Sequence, residues 1–437
     1  MKLTVIGAGS AYAPEIFDGL IERRKAFSFD EIDLVDIEDG MPRARVIEQF
    51  ARRMFWAAGM PVRLRLTADR RQALQGADFV ISQIRVGSWR ARAVDEQTGM
   101  ELGLIGQETT GAGGFMNAMR TIPQALEIAR DMERICPDAW LINFTNPSGL
   151  VTEAVLKNTG IQCIGLCNVP VNIQQDAQKA LGAKEGSLRC RFAGLNHLSF
   201  MVQARCDGQD VLPRLVELLG EHETLMKNIP KVAGAGALIR AIGIVPSPYL
   251  QYYYFEPEML EKQLRAWRQE RKSRAVEVHE IDQALFRRYA DPALAEKPPE
   301  LAQRGGSLYS FAALNIIQAL LQDDPWEMAV NVRNEGAIPG LADSDVVEMS
   351  CQVSRGGIRR LRFAPLPPQV AGLVQMVKQY ERLAVEAAAM RCRRTAVQAL
   401  LNHPLIHGYK NAEAVVALLE QRFPQYIHWE KDQNGHF

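Results

Sequence analysis

Short apolar runs alternate with helix-like segments along the first 168 residues. The apolar runs predict β-strands at residues 3–6, 32–35, 62–66, 78–83, 140–143 and 162–167. Helical spacing of apolar positions lies between them, at residues 14–24, 42–58, 121–135 and 149–158. Strands that alternate with helices form parallel sheets covered on both faces. We therefore predict an α/β fold with a Rossmann-type, doubly wound domain at residues 1–168.

The hydrophobic pattern changes after residue 168. Residues 187–192 and 198–206 predict two antiparallel strands, and residues 207–208 a turn that leaves the second. The longest helical pattern covers residues 257–289, where mixed charges predict a largely solvated helix. Strand-like pieces at residues 329–337 and 346–353 precede helices through residues 368–402. We predict a second, α+β domain at residues 169–437.

Composition and charge argue against several classes of partner. The 437 residues include 51 acidic and 51 basic side chains, so the formal net charge is zero. A chain without a basic field does not predict binding to nucleic acid or to a membrane surface. No run approaches the roughly 18 apolar residues of a membrane span, and the N-terminus lacks the pattern of a secretory signal. Seven cysteines, an odd number, favour reduced thiols, so we expect a cytoplasmic protein.

A glycine turn, VIGAGSAYAP, follows the first predicted strand and opens a helix. Gly7 permits the tight turn, and Gly9 lets backbone N–H groups approach a pyrophosphate at the helix N-terminus. The third glycine of the dinucleotide pattern is missing, but Asp36 ends the second strand and can accept the ribose hydroxyls. Its carboxylate would repel a 2′-phosphate, which favours NAD over NADP. The alternative is a glycine turn that binds no nucleotide. The predicted cofactor residues are Gly7, Gly9, Ser10 and Asp36.

A cysteine and a histidine are candidates for a metal site. Cys167 ends the last predicted strand of the parallel region, and His197 precedes the strand-like LSFMVQ. A thiolate and an imidazole suit a transition ion such as Mn²⁺ or Ni²⁺, with substrate oxygens or water in the remaining positions. Two ligands are too few for a closed zinc site. Spacing alone favours the alternative of a buried cysteine and a hydrogen-bonded histidine.

Several other segments carry polar residues that suit a ligand site. Asn146, in NFTNPSG, could contact a sugar hydroxyl or cap the following helix. Arg92, in RVGSWRARAVDE, could grip an anionic group or pair with Asp95 on a helix surface. The tyrosines of SPYLQYYYF are typical wall or core residues, although a phenol near a metal can act as a base. GLIGQETTGAGG predicts a flexible linker or a backbone surface that a ligand approaches closely.

Together these segments resemble the NAD- and metal-dependent glycosidases of glycoside hydrolase family 4, an exception to hydrolysis by two carboxylates. The resemblance covers nearly the whole chain, and it is nearest to the family's 6-phospho-β-glucosidases. It rests on VIGAGS, IRVG with R-x-x-DE, GLIGQETTGAGGF, RTIP, NFTNPSG, GLCN, GLNH, PYLQYYY, NEGAI and HPL. DEQTGMELG lacks the proline usual in this segment, which we expect to alter a loop but not the chemistry.

The resemblance implies a metal centre and a base. Cys167 and His197 match the metal ligands, with Mn²⁺ expected and Ni, Co or Fe as alternatives. Tyr249 matches the base that removes the proton at carbon 2 of the sugar. Tyr252 and Tyr253 are the alternatives for that role. The second domain would carry the substrate and metal residues and the contacts of a homodimer or homotetramer.

The resemblance also implies substrate contacts. Arg92 matches the arginine that binds the 6-phosphate, Asn146 matches a hydroxyl contact, and Arg274 is a further polar contact. Asn168 occupies the position where α-specific members carry an acidic Asp. Members that act on unphosphorylated sugars carry His there. The amide therefore favours a phosphorylated, β-linked disaccharide or glucoside.

The implied reaction is hydrolysis by redox elimination. NAD⁺ takes hydride from carbon 3, the metal polarises the ketone, and the base removes the proton at carbon 2. The aglycone leaves, water adds, and NADH returns the hydride.

Three other functions fit parts of the sequence. A lactate/malate-type 2-hydroxyacid dehydrogenase would share the early sheet, but it needs a His–Asp relay, and Asn196 precedes His197. A non-catalytic regulator would bind NAD without turnover. A glycosidase of the same family could act on an α-linked or unphosphorylated sugar.

Overall fold

The computed structural model describes residues 1–221, 229, 232–270, 273–303 and 309–430. Within these residues the chain forms thirteen β-strands and sixteen α-helices. The strands are β1 (Lys2–Ile6), β2 (Glu31–Val35), β3 (Arg63–Thr67), β4 (Phe79–Ser82), β5 (Trp140–Asn143), β6 (Cys163–Gly165), β7 (Leu188–Leu195), β8 (Leu198–Cys206), β9 (Gln209–Asp210), β10 (Val245–Pro246), β11 (Trp326–Arg333), β12 (Val346–Ser354) and β13 (Gly357–Arg360).

The helices lie between the strands in the first half of the chain and dominate the second. They are α1 (Ala13–Glu22), α2 (Met41–Ala57), α3 (Arg70–Leu74), α4 (Ser88–Glu101), α5 (Gly111–Ile135), α6 (Ser148–Asn158), α7 (Val169–Leu181), α8 (Leu212–Glu221), α9 (Ala235–Ile242), α10 (Gln251–Tyr254), α11 (Glu256–Glu270), α12 (Arg274–Tyr289), α13 (Tyr309–Leu321), α14 (Pro368–Met390), α15 (Arg393–Leu401) and α16 (Tyr409–Arg422). In the described part of the chain, none of these helices has the length and apolar character needed to cross a membrane.

The strands form one continuous sheet with two halves. In the first half, β3, β2, β1, β4, β5 and β6 pair in that order and are all parallel. This is the strand order of a Rossmann-type fold. The second half is antiparallel and continues from β6 through β11, β12, β7, β8 and β10, with β13 beside β12 and β9 beside β8. The predicted fold class is confirmed.

The predicted strands of the parallel half agree with the structure within one residue at each end, except for the last. β6 ends at Gly165, so Cys167 lies two residues beyond the strand and not at its end as predicted. The backbone N–H of Leu166 still donates to the carbonyl of Asn143, at 3.0 Å, which holds the segment against β5. Cys167 therefore begins the connection that leads from the parallel half into α7.

Two other expectations about the elements were wrong. The glycine-rich segment at residues 103–114 is not all loop, because α5 begins at Gly111. A Cβ on Gly113 would overlap the carbonyl of Gln107, so this glycine permits close packing of the chain on itself. The long helical pattern at residues 257–289 forms two helices, α11 and α12, and residues 271–272 between them lie outside the described part.

One hydrophobic core extends under both halves of the sheet, with members from β1, β4 and β5 and from β11, β12 and α14. Tyr289, the last residue of α12, is fully buried and stacks on Phe50 of α2, with ring centroids 5.0 Å apart. Its hydroxyl donates to the carbonyl of Ala11 at 2.9 Å. A helix from the second half of the chain thus covers the parallel sheet. The predicted domain boundary near residue 168 stays a prediction.

Candidate active site

The glycine turn after β1 is held at the carboxyl end of the parallel sheet. The N–H groups of Gly7 and Ala8 both donate to the carbonyl of Val35, at 2.9 and 3.0 Å. Gly7 has a φ of +88°, and a Cβ there would lie 2.9 Å from the carbonyl oxygen of Gln83. Both the backbone conformation and the space therefore require glycine.

Asp36 lies directly beside this turn. Its Oδ2 accepts from the N–H of Gly9 at 2.6 Å, and its Oδ1 accepts from the N–H of Ile37 at 2.9 Å. Burial raises the pKa of the Asp36 carboxyl, and the two N–H donors oppose that effect. Ser10 lies in the same turn, where its hydroxyl accepts from the N–H of Tyr12 at 3.3 Å. The four predicted cofactor residues are therefore neighbours in the structure.

Sequence reasoning missed Arg43, which braces the turn from α2. Its Nε donates to the carbonyl of Gly9 at 3.1 Å, and its guanidinium lies over the ring of Phe286, 3.7 Å from the centroid. Because Phe286 belongs to α12, more than 200 residues away, no local motif could have indicated this contact.

His197 lies in the tight turn between β7 and β8 and is 8% exposed. Its Nδ1 is 3.1 Å from the hydroxyl of Thr109, which in turn is 2.9 Å from Oε1 of Gln107. That Oε1 also accepts from the backbone N–H of Thr109 and of Thr110, at 2.5 and 3.1 Å, so it is the amide oxygen. The Thr109 hydroxyl donates to this oxygen and accepts from the Nδ1–H of His197. Nε2 of the imidazole is left with its lone pair, as a metal ligand requires.

Tyr249 packs flat against His197, with ring centroids 3.9 Å apart and an interplanar angle of 7°. Burial lowers the pKa of His197 to about 4, so the imidazole is neutral near pH 7. Burial also raises the pKa of the Tyr249 phenol. The negative charges of nearby groups, the Cys167 thiolate among them, add to this rise, and a hydrogen bond with Thr109 opposes it. Cys167, His197 and Tyr249 therefore form one buried cluster, here called the metal cluster.

The donor set of the metal cluster fits an open metal site. One thiolate and one imidazole nitrogen suit a borderline transition ion. Among the described residues, no group of three or more His, Cys, Asp and Glu side chains is arranged to hold a metal. The arrangement therefore fits two protein ligands with the remaining positions taken by substrate oxygens or water, and it does not fit a closed structural zinc site.

The other two candidate tyrosines have different surroundings. The hydroxyl of Tyr253 is 3.0 Å from that of Thr110, and its ring faces His403. Burial raises the pKa of Tyr252, the charges of Glu96 and Glu108 add to this rise, and the charges of Arg92 and Arg274 oppose it. Of the three tyrosines, Tyr249 is the one stacked on His197.

Arg92 lies on α4 between two carboxylates. Its Nε donates to Glu96 at 2.8 Å, and its Nη1 lies 3.0 Å from Oε1 of Glu108. The alternative pairing with Asp95 does not occur, because Asp95 turns inward and forms a buried pair with Arg120, at 2.8 and 2.6 Å. Glu108 had no predicted role, although it lies in the conspicuous GQETTG segment.

The start of α12 is tied to the same arginine. Oε2 of Glu96 accepts from the N–H of Ala275 at 2.9 Å, so Glu96 bridges Arg92 and the first turn of α12. Arg274 precedes Ala275 and donates to Glu277 at 2.9 Å. Through Glu96, the structure connects Arg92 of α4 with the first turn of α12, where Arg274 lies.

The two predicted asparagines lie before and after Cys167 in sequence, in connections of the parallel half. Pro147, and not Asn146, occupies the N-cap position of α6, and no side chain caps this helix, so the capping alternative was wrong. The carbonyl of Asn146 accepts from Nδ2 of Asn117 at 3.3 Å. Asn168 is buried next to Cys167, at the N-cap of α7.

Two family models match the chain. The model described as family 4 glycosyl hydrolase matches residues 2–183, and the family 4 glycosyl hydrolase C-terminal domain matches residues 192–406. The protein belongs to glycosyl hydrolase family 4. The resemblance to this family is therefore confirmed.

Relatives of this family 4 chain share almost its whole length. It is 42% identical over 430 residues to a "probable 6-phospho-beta-glucosidase" of Bacillus subtilis, with 98% of this chain and 97% of the relative covered. A solved 6-phospho-beta glucosidase of Thermotoga maritima, with NAD and glucose-6-phosphate, is 32% identical, with a TM-score of 0.89 and coverage of 98% of this chain and 100% of that chain. Another crystal of that enzyme also contains manganese. A solved malate dehydrogenase of Salinibacter ruber shares the fold alone. It is 14% identical, with a TM-score of 0.52 and coverage of 88% of this chain and 97% of that chain.

Proposed function

We propose that this family 4 protein hydrolyses 6-phospho-β-glucosides and that it uses NAD and a divalent metal, with Mn²⁺ as the expected ion. The observation that carries the proposal is the stack of His197 on Tyr249 beside Cys167, which brings an imidazole, a phenol and a thiol into one buried cluster. The relatives of known name, and the presence of NAD, manganese and glucose-6-phosphate in the solved Thermotoga maritima enzyme, support this assignment.

The metal cluster would hold the cation through Sγ of Cys167 and Nε2 of His197. When bound, NAD and the cation supply oxidation at carbon 3, polarisation of the resulting carbonyl and a positive charge that favours a nearby phenolate. Tyr249 Oη would then accept the proton from carbon 2. Thr109 supports this arrangement because its hydroxyl contacts Nδ1 of the imidazole.

The phosphate end of the substrate would lie between α4 and α12. Glu96 connects Arg92 to the first turn of α12, which carries Arg274, and two positive guanidinium groups suit a phosphate dianion. Glu96 and Glu108 hold Arg92 in place before substrate arrives. Because the carboxylates fix the guanidinium, little side-chain entropy is lost when the phosphate binds.

The remaining predicted contacts concern the cofactor and the sugar. Gly7, Gly9 and Ser10 would approach the pyrophosphate, and Asp36 would accept the ribose hydroxyls once it is released from Gly9. Asn146 would contact a sugar hydroxyl. Asn168 beside Cys167 has no acidic proton to donate, which supports β-linked over α-linked substrates.

The decisive experiment is a panel of α- and β-linked glucosides, each with and without a 6-phosphate, assayed with and without NAD⁺ and Mn²⁺. We expect cleavage of phosphorylated β-glucosides only when both additions are present, with no net formation of NADH. Stoichiometric NADH would instead indicate a dehydrogenase. NAD binding without turnover on any sugar would indicate a regulator, and either result would reject the proposal.

We also propose a cytoplasmic homodimer or homotetramer, as the family resemblance implies. Balanced charge and an odd number of cysteines support the compartment. Sedimentation of the purified protein at micromolar concentration tests the assembly, and a monomer there would contradict it. Fractionation of cells that express the protein tests the compartment.

A further inference from the structure

Asn196, the residue before His197, is fixed on both sides of its amide. Its Nδ2 donates to Oε1 of Glu348 at 3.0 Å, and its Oδ1 accepts from the N–H of Gly149 at 3.3 Å. Gly149 lies in the first turn of α6, just after the segment that carries Asn146. The amide therefore connects the turn of His197 to β12 on one side and to α6 on the other.

Glu348 also binds the other side of the same turn. Its Oε2 accepts from the hydroxyl of Ser199 at 2.6 Å, and the amide of Asn331 approaches Oε1 at 3.4 Å. The carboxylate is 1% exposed and belongs to a central strand of the antiparallel half. The carboxylate of Glu348 thus accepts hydrogen bonds from Asn196, just before His197, and from Ser199, two residues after it.

His197 needs such support because of its backbone. It has a φ of +64°, in the left-handed region that side chains other than glycine rarely adopt. The turn between β7 and β8 holds only Asn196 and His197, so a change at Asn196 acts directly on the direction of the imidazole. A metal ligand loses affinity when its direction is not fixed.

We propose that Glu348, acting through Asn196, is a positioning residue that fixes His197 for metal binding. The proposal rests on the metal site of the proposed function. It differs from a merely structural role in a measurable way. A structural role changes the melting temperature, whereas a positioning role changes the affinity for Mn²⁺.

The test is an exchange of hydrogen-bonding groups. Asn196→Asp places a carboxylate against that of Glu348. Glu348→Gln is the milder change, because the glutamine oxygen can still accept from Asn196 while its amide nitrogen turns toward Ser199. The double variant restores a complementary pair, because the new glutamine can donate to the new aspartate and still accept from Ser199. Isothermal titration of Mn²⁺ into the NAD-bound full-length protein gives the affinity of each variant.

We expect Asn196→Asp to weaken Mn²⁺ binding about tenfold or more, Glu348→Gln to weaken it less, and the double variant to recover to within about threefold of the natural protein. Asn196→Asp is the informative variant, because its added negative charge alone would tighten binding of a cation. Affinity for NAD⁺ should stay the same in all three proteins. If Asn196→Asp does not fold, Asn196→Ala removes the same bond without adding charge.

Ser199→Ala is the matched control, since it removes a bond to Glu348 from the same hairpin and leaves the amide of Asn196 in place. We expect a smaller change in Mn²⁺ affinity for this variant. Unchanged Mn²⁺ affinity in Asn196→Asp, or a double variant that binds Mn²⁺ as weakly as Asn196→Asp alone, would overturn the positioning role. His197→Ala separates the two proposals: if it binds Mn²⁺ normally, the metal site itself is wrong.

Discussion

The two halves of the sheet bring functional groups together in different ways. In the parallel half, the glycine turn after β1 and Asp36 after β2 meet because neighbouring parallel strands end at the same edge. In the antiparallel half, His197 contacts Thr109 and Tyr249, which come from segments 88 residues before it and 52 residues after it. The first arrangement depends on short motifs, whereas the second depends on the packing of distant segments.

This difference accounts for the position of the proposed metal ligands. Cys167 leaves the last parallel strand, and His197 lies in the first antiparallel hairpin, so the proposed metal site spans the junction of the two halves. The cofactor turn belongs to the parallel half alone. Substitutions should therefore separate cofactor binding from metal binding and catalysis.

The largest effect is expected for Cys167→Ser, which tests the proposed metal site at the junction of the two halves. Loss of the thiolate should remove Mn²⁺ binding and lower kcat/KM by about 10⁴-fold or more, because Lewis-acid and base catalysis both depend on this site. NAD⁺ affinity should stay nearly unchanged. Cys163→Ser is the matched control, since Cys163 is buried in the body of β6 and should leave turnover intact. Unchanged turnover in Cys167→Ser would remove this residue from the site.

The next largest effect is expected for Tyr249→Phe, which tests the antiparallel half. Loss of the base should lower kcat by about 10³-fold. Exchange of the carbon-2 hydrogen with deuterated water, followed by NMR, should be lost as well. Tyr253→Phe serves as a control, because that hydroxyl contacts Thr110 and not the metal cluster. Exchange that survives in Tyr249→Phe and disappears in Tyr252→Phe would transfer the role to Tyr252.

A smaller effect is expected for Arg92→Ala, which tests the contact between α4 and α12. A charge-assisted bond is worth about 1.5–3 kcal/mol, so KM for phosphorylated glucosides should rise about 10- to 100-fold. KM for unphosphorylated analogues should change far less. Arg90→Ala removes an exposed arginine of the same helix and should change neither of these KM values. Equal effects of Arg92→Ala on both substrate classes would contradict a phosphate role.

Asp36→Ala tests the parallel half on its own. We expect NAD⁺ to bind about tenfold more weakly, because the ribose loses a charged hydrogen-bond acceptor. Discrimination against NADP⁺ should also decrease, since the repelling carboxylate is gone. Mn²⁺ affinity should not change. Fluorescence titration with both nucleotides measures these constants, and a variant that keeps its full preference for NAD⁺ would argue against a ribose contact.

A final prediction, measured as stability and not as binding or turnover, concerns the pH dependence of the antiparallel half. Burial raises the pKa of Glu348 to about 7 in the folded protein, against about 4.3 in an unfolded chain. The folded state holds this proton more tightly, so the contribution of Glu348 to stability is largest below pH 4 and falls as the pH rises to 7. Relative to the natural protein, Glu348→Gln should therefore gain about 2–3 kcal/mol between pH 4 and 7.5. Urea unfolding of the metal-free protein measures this difference, and a difference independent of pH would contradict it.

Sequence patterns could predict much of the parallel half. Alternation of apolar runs and helical segments located five of its strands within one residue, and the positions of Gly7, Gly9 and Asp36 followed from a motif with a physical basis. The family resemblance, and not spacing, selected Cys167, His197 and Tyr249. These three residues lie together in the structure.

Contacts between distant segments could not be predicted in this way. Arg92 has Asp95 at three residues and Glu96 at four residues along the same helix, and periodicity does not decide which is its partner. Arg120 determines which carboxylate pairs with Arg92, because it binds Asp95 in the interior. The pairing of β7 with β12, which brings Glu348 to Asn196, likewise depends on register across about 150 residues of chain.

The unbroken sheet has a consequence for any attempt to isolate the cofactor-binding half. In the full chain β6 pairs with β5 on one side and with β11 on the other. A fragment cut after Asn168 would lose β11 and turn β6 into an open edge strand, with unpaired N–H and C=O groups free to recruit other chains. It would also lose Tyr289, which covers Phe50. We therefore expect such a fragment to aggregate.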